Sequence, residues 1–116
     1  MKEINTLQDL QGESLSDVTF VMDYLQLGFS GSTITAYSRP RAETKDSSYR
    51  FPATGSRDAL CSFIGHTLRR ISIEAGERIV LAFDSGVIEI PLDSASRING
   101  DAVEFWAKKG SPPLDF

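Results

Sequence analysis

Two side chains in this sequence are reactive by type. His66 is the sole histidine and Cys61 the sole cysteine. An imidazole titrates near neutral pH and can move protons, bind a metal or activate a nucleophile. Each of these roles needs partners, and a zinc site needs several nitrogen or sulfur ligands. With no second histidine or cysteine, the sequence points to no metal and no cofactor. His66 follows Gly65, which reads as a helix stop. The ring is therefore expected at an exposed helix C-terminus, where partial negative charge favours its protonated form. Cys61 lies beside Leu60 in an apolar stripe and reads as a small buried group. A reactive thiolate would need exposure and a cationic neighbour. A single cysteine also forms no internal disulfide. No catalytic residue is assigned.

Binding chemistry is better supplied. Gly28-Phe29-Ser30-Gly31-Ser32 holds two glycines, but a phosphate loop needs them between a strand and a helix N-terminus. Here another strand follows, so the run reads as a hairpin. Arg39, Arg41, Lys45 and Arg50 make one segment locally basic, and Arg69-Arg70 and Lys108-Lys109 are further basic pairs. Acidic residues are interspersed and the formal net charge is −4. That balance argues against a nucleic-acid partner, which asks for a basic face. Alternation leaves a second set of residues pointing away from the core. From the first half these are Thr19, Val21, Tyr24, Gln26, Thr33, Thr35 and Tyr37. From the second they are Ser72, Glu74, Arg78, Val80 and Glu89. Tyrosine and arginine often anchor interfaces. The candidate binding residues are Tyr24, Gln26, Tyr37, Glu74, Arg78 and Glu89, on one outer sheet face.

The elements that must position these residues follow from periodicity. Leu7 and Leu10 define a short helix over 4–12, with Asn5 as N-cap and Gly12 as stop. Val18, Phe20 and Met22 alternate with Thr19 and Val21, which marks a strand over 17–23. Leu25, Leu27 and Phe29 line a second strand, and Ile34 and Ala36 line a third beyond the Ser30-Gly31-Ser32 turn. Residues 38–56 contain Pro40, Pro52 and Gly55 and read as a mobile loop, with room for a short extended piece at Tyr49-Arg50-Phe51. Ser56 caps a second helix over 57–65, striped by Leu60, Phe63 and Ile64. Strands follow at 68–74, at Ile79-Leu81-Phe83 and at Ile88-Ile90-Leu92, with a hairpin at Asp84-Ser85-Gly86. Asp93 to Ile98 read as a helical turn. Residues 102–107 favour a short strand over a helix, although Asp101 and Glu104 resemble a capping box. Ser111–Phe116 read as a loose end.

The second half echoes the first. Gly12, Ser14, Leu15, Val18 and Phe20 align with Gly65, Thr67, Leu68, Ile71 and Ile73 at one offset. After one extra turn residue, Leu27, Phe29 and Ile34 align with Leu81, Phe83 and Ile88. The 116 residues suit one domain, 1–116, with pseudo-repeats at 4–37 and 57–92 joined by the loop at 38–56. The expected fold class is α+β: a helix plus a three-strand antiparallel meander, duplicated, with two short helices packed on one face of a joined sheet. The expected core holds Val18, Phe20, Leu27, Phe29, Ile71, Ile73, Leu81 and Phe83.

The runs Asp23–Phe29, Thr33–Tyr37, Arg57–Gly65 and Leu81–Gly86 resemble a family of small bacterial proteins of about this length, a domain of unknown function. The resemblance spans about Gly12 to Trp106 and rests on turns, core strands and a helix end. It implies no catalytic residue. Some small bacterial proteins of this type are immunity proteins that bind toxins, an analogy of class only. The sequence favours a non-enzymatic module for a protein partner, with an immunity-like role and self-association as options. The alternative is a small-molecule binder or minor enzyme with its site between the repeats. No apolar run reaches the ~20 residues needed to cross a bilayer. The N-terminus lacks a signal-peptide core, so a cytoplasmic setting is expected.

Overall fold

The computed structural model describes residues 6–93, 102–107 and 113–116. It is mostly β. Among the described residues, ten strands form two five-stranded antiparallel sheets: β1 Asp17–Val21, β2 Tyr24–Phe29, β3 Ser32–Ala36, β4 Arg41–Thr44, β5 Ser48–Arg50, β6 Leu68–Glu74, β7 Arg78–Phe83, β8 Gly86–Pro91, β9 Val103–Trp106 and β10 Leu114–Asp115. The helical structure among these residues is one short α-helix, α1, at Ser56–Cys61, and a 3-10 turn at Leu7–Leu10. The α+β expectation, with two helices packed on a joined sheet, is therefore corrected. The flanks leave little room for helix. Gly55 enters α1 at φ 89° and Gly65 leaves the following turns at φ 90°. So short a helix has no stability of its own and is held by packing. The expected caps also move: Ser56 lies inside α1, Thr6 caps the opening turn, and Asn5 falls outside the described residues.

The meanders of the two halves lie in separate sheets, linked by a short bridge between the leads into the edge strands β1 and β6. The first runs β1-β2-β3-β9-β10 and the second β5-β4-β8-β7-β6. Each three-strand meander is completed by a two-strand hairpin from the other half. β3 pairs with β9 through Ile34–Phe105, and β8 pairs with β4 through Ile88–Ala42. The stretch read as a loop at 38–56 thus contains β4 and β5, and it buries Ala42 and Phe51 completely. Gly86 lets β4 approach, because a Cβ there would sit 2.2 Å from the Glu43 carbonyl oxygen. The expected loose end is paired too. β10 lies against β9, and the Phe116 N–H donates to the Val103 carbonyl at 2.8 Å. Residues 102–107 carry β9, a strand. The helical turn expected at Asp93 to Ile98 lies almost wholly outside the described residues.

The two halves meet where Ser14 bridges Thr67. Gly12 N–H donates to Leu68 O at 2.8 Å, and Gly65 N–H donates to Leu15 O at 2.7 Å. Leu68 N–H donates to Glu13 O at 2.9 Å, and Leu15 N–H to His66 O at 3.1 Å. These bonds exchange in pairs when each residue of one half is replaced by its aligned partner. Gln11 extends this junction along β6, its side-chain oxygen accepting from Ile71 N–H at 3.0 Å. An otherwise open sheet edge is blunted there.

One core lies between the sheets. Leu25, Leu27, Phe29 and Ile34 of the first meet Ile79, Leu81, Phe83, Ile88 and Ile90 of the second, with Phe105 from β9. Val18 and Phe20, expected in the core, are half-buried because β1 is an edge strand. Met22 is not in the core at all but in the β1–β2 turn, 90% exposed. Phe20 stacks on Phe51 at 5.8 Å, and the Arg57 guanidinium covers both rings at 5.7 and 5.2 Å. That cation–π contact fixes α1 over the end of β1.

Candidate binding face

Each sheet turns alternate residues outward, so the molecule has two outer faces. The register decides which residues share one. On the first sheet, Thr19, Gln26, Thr35 and Glu104 form one cross-strand row, and Asp17, Gly28, Thr33 and Trp106 form the next. Tyr24 lies opposite Val21 and beside Tyr37, with ring centroids 5.2 Å apart at 43°. On the second sheet, Ser72, Val80, Glu89, Arg41 and Arg50 form one row, and Glu74, Arg78 and Pro91 another. The six expected binding residues therefore divide. Tyr24, Gln26 and Tyr37 lie together on the first face. Glu74, Arg78 and Glu89 lie together on the second, across the core. Alternation places a residue on a strand face, but it does not say which strands share a sheet.

The faces differ in chemistry. The second is closed by its own ion pairs. Arg78 reaches Glu74 at 2.9 Å, and Glu89 lies 3.1 Å from Arg41 and 4.0 Å from Arg78. The hydrogen bond from Arg78 to Glu74, and then the carboxylate's charge, raise the Arg78 pKa above its ordinary value. The first face is polar and aromatic. Gln26 donates to the Thr35 hydroxyl at 3.4 Å, and the Trp106 indole N–H donates to Glu104 at 2.5 Å. Trp106 is 44% exposed. Asp17 folds over β2, which the missing side chain of Gly28 permits: a Cβ there would sit 1.6 Å from Asp17 Oδ1. Trp106 and Glu104 join this face without being among the candidate residues read from sequence. Their signal is the alternation of Val103 and Phe105 inward against Glu104 and Trp106 outward.

The turn at the end of this face carries strain. Met22 has φ 38°, in the left-handed region that a residue with a Cβ seldom adopts. The matching turn of the second half uses Gly76 at φ 74°. Met22 thus holds an exposed apolar side chain in the turn two residues before Tyr24, at a backbone cost of about 1–2 kcal/mol.

His66 and Ser85 are the one arrangement among the described residues that resembles a nucleophile with its base. His66 Nδ1 lies 2.7 Å from Ser85 Oγ. Both are exposed, Ser85 on a hairpin turn, in an open depression of about 410 Å³ lined with Thr67 and Asp84. A working pair needs the base oriented by a third group and donors for an oxyanion. The nearby carboxylate, Asp84, is instead engaged by Arg69 at 2.9 Å. The depression borders the junction of the halves, and its geometry supplies a surface hydrogen bond. Among the described residues, no group of three histidine, cysteine, aspartate or glutamate side chains could hold a metal ion. Among them also, no helix is long and apolar enough to cross a membrane.

No family model, no curated protein and no solved structure matches this chain. The resemblance drawn from the sequence therefore assigns no role to any residue, and the chemistry of the two faces bears on function instead.

Proposed function

We propose that this protein is a non-enzymatic binding module that presents the outer face of its first sheet to a protein partner. The observation carrying this reading is the contrast between the faces. One is occupied by ion pairs among its own residues. The other gathers Tyr24, Tyr37 and Trp106, with Gln26 and Thr33 between them and Thr35 buried in the same row as Gln26. Aromatic side chains with polar tips suit such surfaces, since they bury large area at little entropy cost. The face is small. Five strands at about 4.8 Å spacing and five residues at about 3.3 Å rise give roughly 20 Å by 17 Å. That is below the ~800 Å² per partner of a standard interface and in the range of small, transient contacts. An immunity-like role is one form of this reading, and its setting is the cytoplasm.

The test uses the tagged protein as bait in host lysate, beside a Tyr24→Ala/Tyr37→Ala variant and a Glu74→Ala/Arg78→Ala variant. A stoichiometric protein retained by the wild type and the second variant, but not by the first, supports the reading. Equal retention by all three, or loss only with the second variant, refutes it.

A further inference from the structure

Charge is divided between the two sheets. The strands of the first sheet carry Asp17, Glu104 and Asp115 and no lysine or arginine. Those of the second carry Arg41, Arg50, Arg69, Arg70 and Arg78 against Glu43, Glu74 and Glu89. Lys108 and Lys109 follow β9 and lie outside the described residues. Within the second sheet Arg41 and Arg78 pair with Glu43, Glu74 and Glu89, while Arg50 donates to the Arg39 carbonyl. On the first, Asp17 and Glu104 have no cationic partner among the described residues. Asp17 receives only the Ser16 hydroxyl at 3.4 Å, and Glu104 the indole N–H of Trp106.

We propose that the first face takes a basic protein surface, with arginine or lysine side chains set against Asp17, Glu104 and the aromatic rings. This rests on the reading of that face as the binding surface and adds the chemistry of the partner. Carboxylates on a sheet face favour a cation by charge. The rings add a second, geometric preference, because a guanidinium stacks on tyrosine or tryptophan while pairing with a carboxylate beside it. Glu104 and Trp106 provide that combination on one strand, two residues apart. Tyr24 and Tyr37 provide a second platform about 13 Å further along β3, four residues at about 3.3 Å each. Arginines on a strand or helix of the partner can reach both. Arg57 on Phe20 and Phe51 shows the same stacking inside this molecule. A second copy of the chain, an acidic partner and a neutral partner are the competing occupants.

The experiment selects random peptides displayed on phage against the immobilised full chain and discards those that also bind the Tyr24→Ala/Tyr37→Ala variant. The face-dependent peptides are expected to be enriched in arginine and lysine. Hexa-arginine should then change the emission of Trp106, the sole tryptophan. Its affinity should fall about tenfold in the Asp17→Asn/Glu104→Gln variant, and further as salt is raised. Those substitutions keep shape at exposed or half-exposed sites, and far-UV circular dichroism checks the fold. Face-dependent peptides without a basic excess would overturn the basic partner and leave the binding face standing. If no peptide distinguishes the wild type from the tyrosine variant, both fall. An unchanged hexa-arginine affinity in the carboxylate variant also overturns the proposal.

Discussion

Phe105→Ala is the sharpest test of how the sheets are assembled. Phe105 lies on β9, next to Ile34 of β3, and is completely buried. Its neighbour Trp106 points the other way and is 44% exposed. If β9 completes the first sheet, removing the Phe105 ring opens a cavity between the two sheets, at a cost of about 3–5 kcal/mol. The unfolding entropy of a chain this long is about 0.24 kcal/mol per kelvin, so 4 kcal/mol lowers Tm by about 16 °C. Trp106→Tyr keeps a ring on the surface and loses one hydrogen bond to Glu104, worth about 1 kcal/mol and about 4 °C. Both variants are read by thermal unfolding with far-UV circular dichroism, so the readout does not depend on the tryptophan. A loss below about 1 kcal/mol for Phe105→Ala would show that β9 does not pack into the core, and the exchange of hairpins between halves would fail with it.

Gly86→Ala drives a methyl into the Glu43 carbonyl at a position with φ 152°. It should cost about 2–4 kcal/mol and speed amide exchange in β4, read by hydrogen exchange with mass spectrometry. Glu89→Gln removes the counter-charge shared by Arg41 and Arg78. Since Glu89 is mostly buried and Arg41 half-buried, the loss should be about 1–2 kcal/mol in denaturant unfolding. Met22→Gly relaxes the strained turn. Its stability should stay within about 1 kcal/mol of wild type, while partner retention weakens severalfold in a titration.

Much of the fold is legible in the residues, and what is not has a physical reason. The inward alternation of Leu25, Leu27 and Phe29, and of Ile79, Leu81 and Phe83, appears as expected, because period two survives wherever one face is buried. The hairpin at Ser30 and Gly31 is readable from composition, and both take positive φ, 51° and 102°. β4 is not legible locally. It has one apolar residue, Ala42, and Pro40 and Pro52 in the same stretch read as loop signals. Its strand character comes from β8, a partner far along the chain, and such pairing leaves no local signal. The same blindness misplaced half of the candidate site. Alternation finds Tyr24, Gln26 and Tyr37, yet it puts Glu74, Arg78 and Glu89 on the same face, because nothing local in the sequence separates the two sheets. Once the register is known, Trp106 and Glu104 take their place beside the tyrosines.

Hydrogen exchange on the complex with the protein retained from host lysate locates the binding face. New protection is expected in β2, β3 and β9, around Tyr24, Tyr37 and Trp106, with β6 and β7 unchanged. Protection confined to β6 and β7, around Glu74 and Arg78, would contradict it and move the binding surface to the opposite sheet.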